Sequence, residues 1–263
     1  KLRDFQELGH QIVFIVGDFT AQIGDPSDKL EKRPMLSSSD IEKNMADYKN
    51  QIGKIIDLDE AEFHYNKKWL SKLNFSEIAK LAESFSVQQM SNRRNFKERL
   101  SSGEDVSLRE FLYPLMQGYD SVVVKADIEI GGFDQLFNLK AGRTIQKYYG
   151  QQEQDVITLK MLEGTDGRKM STSWGNVVTI VDDPKDMYGK IMSMKDELLP
   201  QYFLLCTDIP EEEIDQILNN EQPKSAKMRL AREIVAIYHG SVAAKEAEDF
   251  FTETFSNKKI PED

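Results

Sequence analysis

The chain has 263 residues, a formal net charge of −11, 40% hydrophobic and 30% charged residues, one cysteine and three histidines. That is the composition of a soluble globular protein with one large core or two smaller ones. It excludes an internal disulfide, a Cys/His metal cage, an apolar membrane span and loose, charge-driven binding of nucleic acid.

In chain order, Lys1 to Glu7 is charged and amphipathic, unlike a signal peptide. Ile12 to Val16 is a continuous apolar run of strand length followed by Gly17, the pattern of a buried parallel strand. Residues 39 to 53 read as a helix, with Ser39 as N-cap and Glu42 completing a capping box. Val122 to Val124 and Ile128 to Ile130 read as strand pieces, and Gln135 to Tyr149 as a helix. Val156 to Leu162 and Val177 to Val181 are again strand-like. Strands alternating with helices predict an α/β layer fold with a parallel sheet. After Pro184 the strand signals stop, and 184 to 256 reads as four or five helices, which places a domain boundary at about 181. The lone Cys206 sits in this apolar helical stretch as a packing residue, and a reducing, cytoplasmic location is expected.

Three segments carry candidate chemistry. Gly167-Arg-Lys-Met-Ser-Thr-Ser-Trp-Gly-Asn176 offers two cations (Arg168, Lys169), three hydroxyls (Ser171, Thr172, Ser173) and a flexible backbone. Those groups suit a loop that meets polyphosphate, and they equally make a plain polar surface loop. Gly17 to Ser27, with Asp28, Lys29 and Arg33 after it, follows the first strand, where parallel sheets bind ligands. Asp25 there can accept from an ammonium and Lys29 and Arg33 can meet phosphate; the same Asp-Pro-Ser is also an ordinary turn that Asp25 caps. In Leu112 to Asp120, Tyr113, Gln117 and Asp120 share one face if the segment is helical, with Pro114 either starting or kinking that helix. Ile130-Gly-Gly-Phe-Asp-Gln135 comes at a strand end, where a glycine pair admits a sugar or purine and Asp134 can accept from ribose hydroxyls; a plain strand-to-helix turn reads the same way. The basic groups Lys67-Lys68, Arg93 to Arg99 and Lys224 to Arg232 are either RNA-contacting patches or solvated helix faces.

Together, Gly17-Asp-Phe-Thr-Ala-Gln-Ile-Gly-Asp-Pro-Ser27, Tyr113-Pro-Leu-Met-Gln-Gly-Tyr-Asp120, Gly131-Gly-Phe-Asp-Gln135 and Lys169-Met-Ser-Thr-Ser173 resemble the bacterial tyrosyl-tRNA synthetases, of the class I aminoacyl-tRNA synthetases, in order and spacing. The resemblance runs over essentially the whole chain. It implies a Rossmann-type catalytic domain (1–181) followed by a helical anticodon-binding domain (182–263). It implies ATP-dependent activation of tyrosine and transfer to tRNA(Tyr), with Mg2+ carried by ATP rather than by a protein cage. Asp25, Tyr113 and Gln117 would hold the tyrosine ammonium, Asp120 the phenol, and Gln135 would line the pocket. Gly132 and Asp134 would meet ribose, Lys29 and Arg33 the departing pyrophosphate. Lys169, Met170, Ser171, Thr172 and Ser173 would form the loop on the ATP phosphates. A homodimer is implied through an insertion at about 85–112, where Met90, Phe96, Leu100, Leu108, Phe111 and Leu112 are the expected apolar anchors and Arg93, Arg94, Lys97 and Arg99 the rim. The runner-up within the class is a tryptophanyl-tRNA synthetase, and outside it a non-catalytic RNA-binding relative or an inactive fragment.

Two departures accompany the resemblance. The family's His-x-Gly-His motif is absent; Leu8-Gly-His10 comes too late in the fold and reads as a helix terminus, so the chain is expected to begin inside the helix that follows the motif. Thr172 stands where the usual loop has a second lysine.

Overall fold

The computed structural model describes residues 1–23, 44 and 47–256. They fall into two compact units that divide between Met161 and Leu162.

In the first unit, α1 (Leu2–Glu7) stops at Gly9, whose φ of +87° lets the His10 amide turn back onto the Phe5 carbonyl at 3.0 Å. This is the helix terminus expected at Leu8 to His10. β1 (Ile12–Val16) follows and pairs in parallel with β2 (Ala61–Tyr65), Val16 opposite Tyr65. The short α2 (Thr20–Ile23) comes off the end of β1. Residues 47–52 are helical, and the Ser39–Glu42 capping box lies outside the described residues. β2 was not among the expected strands. Its Ala-Glu-Phe-His-Tyr alternation is only five residues long, and its placement comes from tertiary contacts such as the Phe14–Phe63 stack at 5.1 Å.

Four short helices follow: α3 (Lys67–Leu70), α4 (Phe75–Ala82), α5 (Val87–Ser91) and α6 (Arg94–Ser101). The long α7 (Leu108–Val124) starts at a Ser107/Glu110 capping box and carries Pro114 in its interior. It ends at Lys125, which adopts the left-handed conformation. Val122 to Val124, expected as a strand, is the last turn of this helix. An apolar triplet does not distinguish the two states, and Leu115 and Val122 are buried at helical spacing. β3 (Ile128–Gly132), α8 (Leu136–Tyr148) and β4 (Asp155–Leu159) make a parallel β-α-β unit.

α7 and α8 approach closely because small residues face each other. A Cβ on Gly118 would lie 2.7 Å from Ile145 Cδ1 and 3.1 Å from the Ala141 backbone. Leu81, Met90, Leu115, Val122 and Ile145 form the core around that contact.

The second unit is helical beyond its first twenty residues: α9 (Pro184–Met192), α10 (Leu199–Cys206), α11 (Glu211–Asn220), α12 (Pro223–His239) and α13 (Ser241–Phe251). Its core holds Met187, Tyr188, Ile191, Phe203, Leu230 and Val235, all fully buried. Cys206 packs against this core, and burial pushes its thiol up to about 11. Leu162, Met170 and Val178 also pack there, so the compact unit takes in about twenty residues ahead of the change in element pattern near 181. Val177 to Val181, expected as a strand, is irregular: Thr179 turns back to the Asp182 carboxylate through its amide and its hydroxyl, both at 2.8 Å.

The Gly118 contact yields a stability prediction. Alanine is better than glycine in a helix interior by about 1 kcal/mol. Gly118→Ala nevertheless forces its methyl against backbone, and it should destabilise the protein by about 1–3 kcal/mol in urea unfolding. A stabilised variant would show that α7 and α8 do not meet at Gly118.

Candidate active site

At the carboxyl ends of β1 and β2, one side-chain amide organises the first unit. Asn66 directly follows β2 and is fully buried. Its backbone N–H continues the ladder to the Val16 carbonyl at 3.0 Å. Its Oδ1 accepts from the Phe19 amide at 3.0 Å, and its Nδ2 donates to Thr20 Oγ1 at 3.1 Å and to Asp120 Oδ2 at 3.2 Å. Trp69 on α3 donates its indole N–H to Asp120 Oδ1 at 2.7 Å. Gly17 makes room for this turn, since a Cβ there would lie 2.5 Å from Thr20 Oγ1.

Asp120 is 4% exposed. Burial pushes its carboxyl up to about 7; Trp69 and Asn66 oppose the shift, and the Glu129 and Asp18 carboxylates add to it. The helical reading of this segment holds, so Tyr113, Gln117 and Asp120 stand at i, i+4 and i+7 on α7. Glu129 accepts from Ser121 Oγ at 3.0 Å and from Gln154 Nε2, and Gln117 also acts to lower its carboxyl. Burial raises the Glu129 carboxyl, and these donors oppose it.

Asn66, Trp69 and Glu129 carry no motif of their own in the sequence. Asn66-Lys-Lys-Trp69 reads as a polar helix start, and only the pairing of β2 with β1 brings it to Asp120.

Gly132 ends β3, and Phe133–Gln135 forms a 3-10 turn into α8. A Cβ on Gly132 would meet Asp134 Oδ1 at 2.5 Å and Met161 Sδ at 3.2 Å, so any side chain there must displace those two. Asp134 is exposed, and Gln135 accepts from Asn138 Nδ2 at 2.9 Å. Asp25, Lys29 and Arg33 lie outside the described residues.

In the second unit, Lys169 to Ser173 starts at the end of a loop that an antiparallel bridge between Glu163 and Lys169 closes. Lys169 and Thr172 are exposed, while Met170 packs inward on the helical core. Arg168 is committed to Asp166, at 2.5 Å, and its guanidinium lies 4.7 Å from the Trp174 ring centre.

The basic patch on α12 is paired with carboxylates. Lys227 meets Asp196 at 2.6 Å, Arg229 meets Glu213, and Arg232 meets Glu248 at 3.7 Å. In the 85–112 segment, several expected interface residues are interior. Met90 and Phe96 are buried, Arg93 stacks between Phe96 and Phe137, and Arg99 forms a buried 2.5 Å pair with Glu110. Leu100, Leu108 and Leu112 are exposed. Among the described residues, no cluster of three or more His, Cys, Asp or Glu could hold a metal ion, and no helix is long and apolar enough to cross a membrane.

The profile of the tRNA synthetases class I (W and Y) matches residues 1–256. The chain is 46% identical over 269 residues to the tyrosine–tRNA ligase of Thermotoga maritima, and 47% identical over 269 residues to tyrosine–tRNA ligase 2 of Clostridium acetobutylicum. Each alignment covers 100% of this chain and 67% of the relative, so the chain spans about two thirds of their length. A C-terminally truncated mitochondrial tyrosyl-tRNA synthetase of Aspergillus nidulans has a similar fold, with a TM-score of 0.75 at 24% identity over 97% of this chain and 79% of that one.

The buried Asp120 has a thermodynamic signature. Its carboxyl in the folded protein lies above its ordinary 3.8, so the folded state holds that proton more tightly than the unfolded chain. The stability this contributes is full below pH 3.8 and is lost as pH rises through about 7. Asp120→Asn removes the titration. The stability of the unliganded protein relative to this variant should therefore fall between about pH 4 and 7, by on the order of a few kcal/mol in urea unfolding, and level off above that. A difference that is flat with pH would mean that Asp120 is not desolvated as described.

Proposed function

This chain belongs to the class I tRNA synthetases (W and Y), and we propose that within them it acts as a tyrosine–tRNA ligase, activating tyrosine with ATP and passing the tyrosyl group to tRNA(Tyr). The observation that carries this reading is the buried, twice hydrogen-bonded Asp120 on the same helix face as Tyr113 and Gln117. Each carboxylate oxygen already accepts one bond, and a carboxylate has about four acceptor positions. Asp120 therefore has capacity for a phenolic O–H, which phenylalanine lacks. Tyr113 and Gln117, joined by Asp25, receive the α-ammonium, and Gln135 lines the pocket.

The reaction follows from positioning and charge. A tyrosine carboxylate oxygen attacks the α-phosphorus of ATP; the bond from that phosphorus to the bridging oxygen breaks, and pyrophosphate leaves with the electron pair. A ribose hydroxyl at the 3′ end of the tRNA then attacks the carbonyl carbon of the adenylate, loses its proton and releases AMP. No nucleophilic side chain is required, only oriented substrates and cations where negative charge develops. Gly132 and Asp134 receive the ribose of ATP, and the room kept at Gly132 suits that approach. Lys169, with the backbone at Met170 and the hydroxyls of Ser171, Thr172 and Ser173, acts on the phosphates, while the Met170 side chain anchors the segment to the helical core. Lys29 and Arg33 meet the pyrophosphate, a role that rests on their place in the motif. Magnesium enters with ATP as part of the substrate, held mainly by phosphate and water. A cytoplasmic location belongs to the same reading.

The test is tyrosine-dependent exchange of pyrophosphate into ATP by the full-length protein. Asp120→Ala should lower the preference for tyrosine over phenylalanine by about 10²-fold, the scale of one lost hydrogen bond to a charged group. The ratio does not depend on how much of the variant is folded. An unchanged preference overturns the assignment.

The same reading includes a homodimer. Its support in this chain is the exposed apolar set Val87, Leu100, Leu108 and Leu112 around the 85–112 segment, with Leu108 81% exposed. An isologous contact would bring each patch against its copy. The full-length protein should sediment as a dimer at micromolar concentration, and Leu108→Asp should shift it toward monomer. A monomeric wild type overturns the proposal.

A further inference from the structure

Asn176 closes the segment that carries Lys169, although its side chain belongs to none of the residues assigned above. It is 3% exposed. Its Oδ1 accepts from the Ser171 amide at 2.8 Å. Its Nδ2 donates to Asp166 Oδ1 at 2.8 Å and to the Lys169 carbonyl at 3.1 Å. Its own carbonyl accepts from the Thr165 amide at 3.0 Å. The side-chain bonds determine the orientation of the amide: turned over, its nitrogen would face the Ser171 N–H and its oxygen would face two other oxygens. The fit is tight, because a Cβ on Gly164 would lie 2.4 Å from Asn176 Nδ2.

The ends of the segment are secured independently of Asn176. The Tyr202 hydroxyl donates to the Glu163 carbonyl at 2.6 Å, and the Lys195 amide donates to the Thr165 carbonyl at 3.1 Å. Met170 and Leu162 pack on the helical core. Between these supports, Asn176 bonds both the Lys169 carbonyl and the Ser171 amide.

We propose that Asn176 is a positioning residue for Lys169, holding that cation's backbone where it can act on the ATP phosphates. The role assigned to Lys169 rests on the tyrosine-ligase reading; the hold on the loop does not. Asn176→Asp leaves an acceptor for the Ser171 amide and puts a carboxylate oxygen where the amide nitrogen meets Asp166 and the Lys169 carbonyl. The like charges and facing lone pairs should push the segment open. Asp166→Asn combined with Asn176→Asp restores a donor between the two side chains and should recover part of the loss.

The experiment is pyrophosphate exchange by the full-length protein carrying N176D, K169A, both together, or D166N/N176D. Misplacing a reacting group from a distance costs about 10²-fold, and N176D should lower kcat on that scale with the tyrosine KM unchanged. K169A should also lower kcat by about 10²-fold, the scale of losing one charge-stabilising donor. In the K169A background N176D should cost markedly less than in the wild type, because the cation it chiefly positions is gone and only the Ser171 contact remains to be lost. Equal losses from N176D with and without Lys169, or a tyrosine KM that rises as kcat falls, overturn the proposal.

Limited trypsin cleavage after Arg168 and Lys169 reads the same hold without any activity. N176D and Gly164→Ala, which displaces the amide by a different route, should both be cut faster there than the wild type. Equal cutting overturns the proposal. A wild type that exchanges no pyrophosphate counts against the tyrosine-ligase reading, and the cleavage comparison then decides the positioning claim alone.

Discussion

A carboxylate can be kept out of water only where donors are brought to it, and in the first unit those donors are Asn66 and Trp69. Asn66 uses its backbone N–H, its side-chain oxygen and its side-chain nitrogen at once. Through them it ties the end of β1, the turn at Phe19 and Thr20, and the Asp120 turn of α7. Removing that amide would leave a buried carboxyl short of a donor and a main-chain amide without an acceptor, each an expensive loss in a low-dielectric site. The parallel pairing of β1 with β2 matters for function because it delivers Asn66 to this place.

The second unit uses the same device for a different end. Asn176, like Asn66, is a buried amide that donates and accepts in one plane. In the first unit the amide supports a side chain that would meet substrate; in the second it supports the backbone of a cation-bearing loop. Aspartate has no donor in its ionised form and serine is too short to reach two segments, so asparagine suits both tasks. Each site also needs a glycine beside it for space, Gly17 near Thr20 and Gly164 against Asn176.

Charge is managed locally. The chain is acidic overall, at −11, and cations on α12 are bound to carboxylates in the same unit. Arg168 is likewise held by Asp166, and Thr172 contributes a hydroxyl where the resembling loop has a lysine. In the proposed reaction, stabilisation of the phosphates by this loop therefore falls chiefly on Lys169. The placement of its backbone then matters more than it would in a loop with two lysines.

The fold class, the helical character of the second half and the common face of Tyr113, Gln117 and Asp120 are legible along the chain. Those features follow from local periodicity and motif spacing, which are visible along a single chain. The sequence also marked the Gly132 turn and the Lys169 loop, because glycine and hydroxyl clusters have local backbone consequences. That Val122 to Val124 completes a helix depends on packing, since an apolar triplet is compatible with either state until α8 packs against it. That Phe96, Arg93 and Arg99 are interior likewise comes from the folded arrangement, since the same apolar and basic residues would also suit an interface. Asn66, Trp69, Glu129 and Asn176 were illegible for one shared physical reason. Each acts through hydrogen bonds whose partners lie outside its own local pattern, and such bonds exist only once the chain has folded.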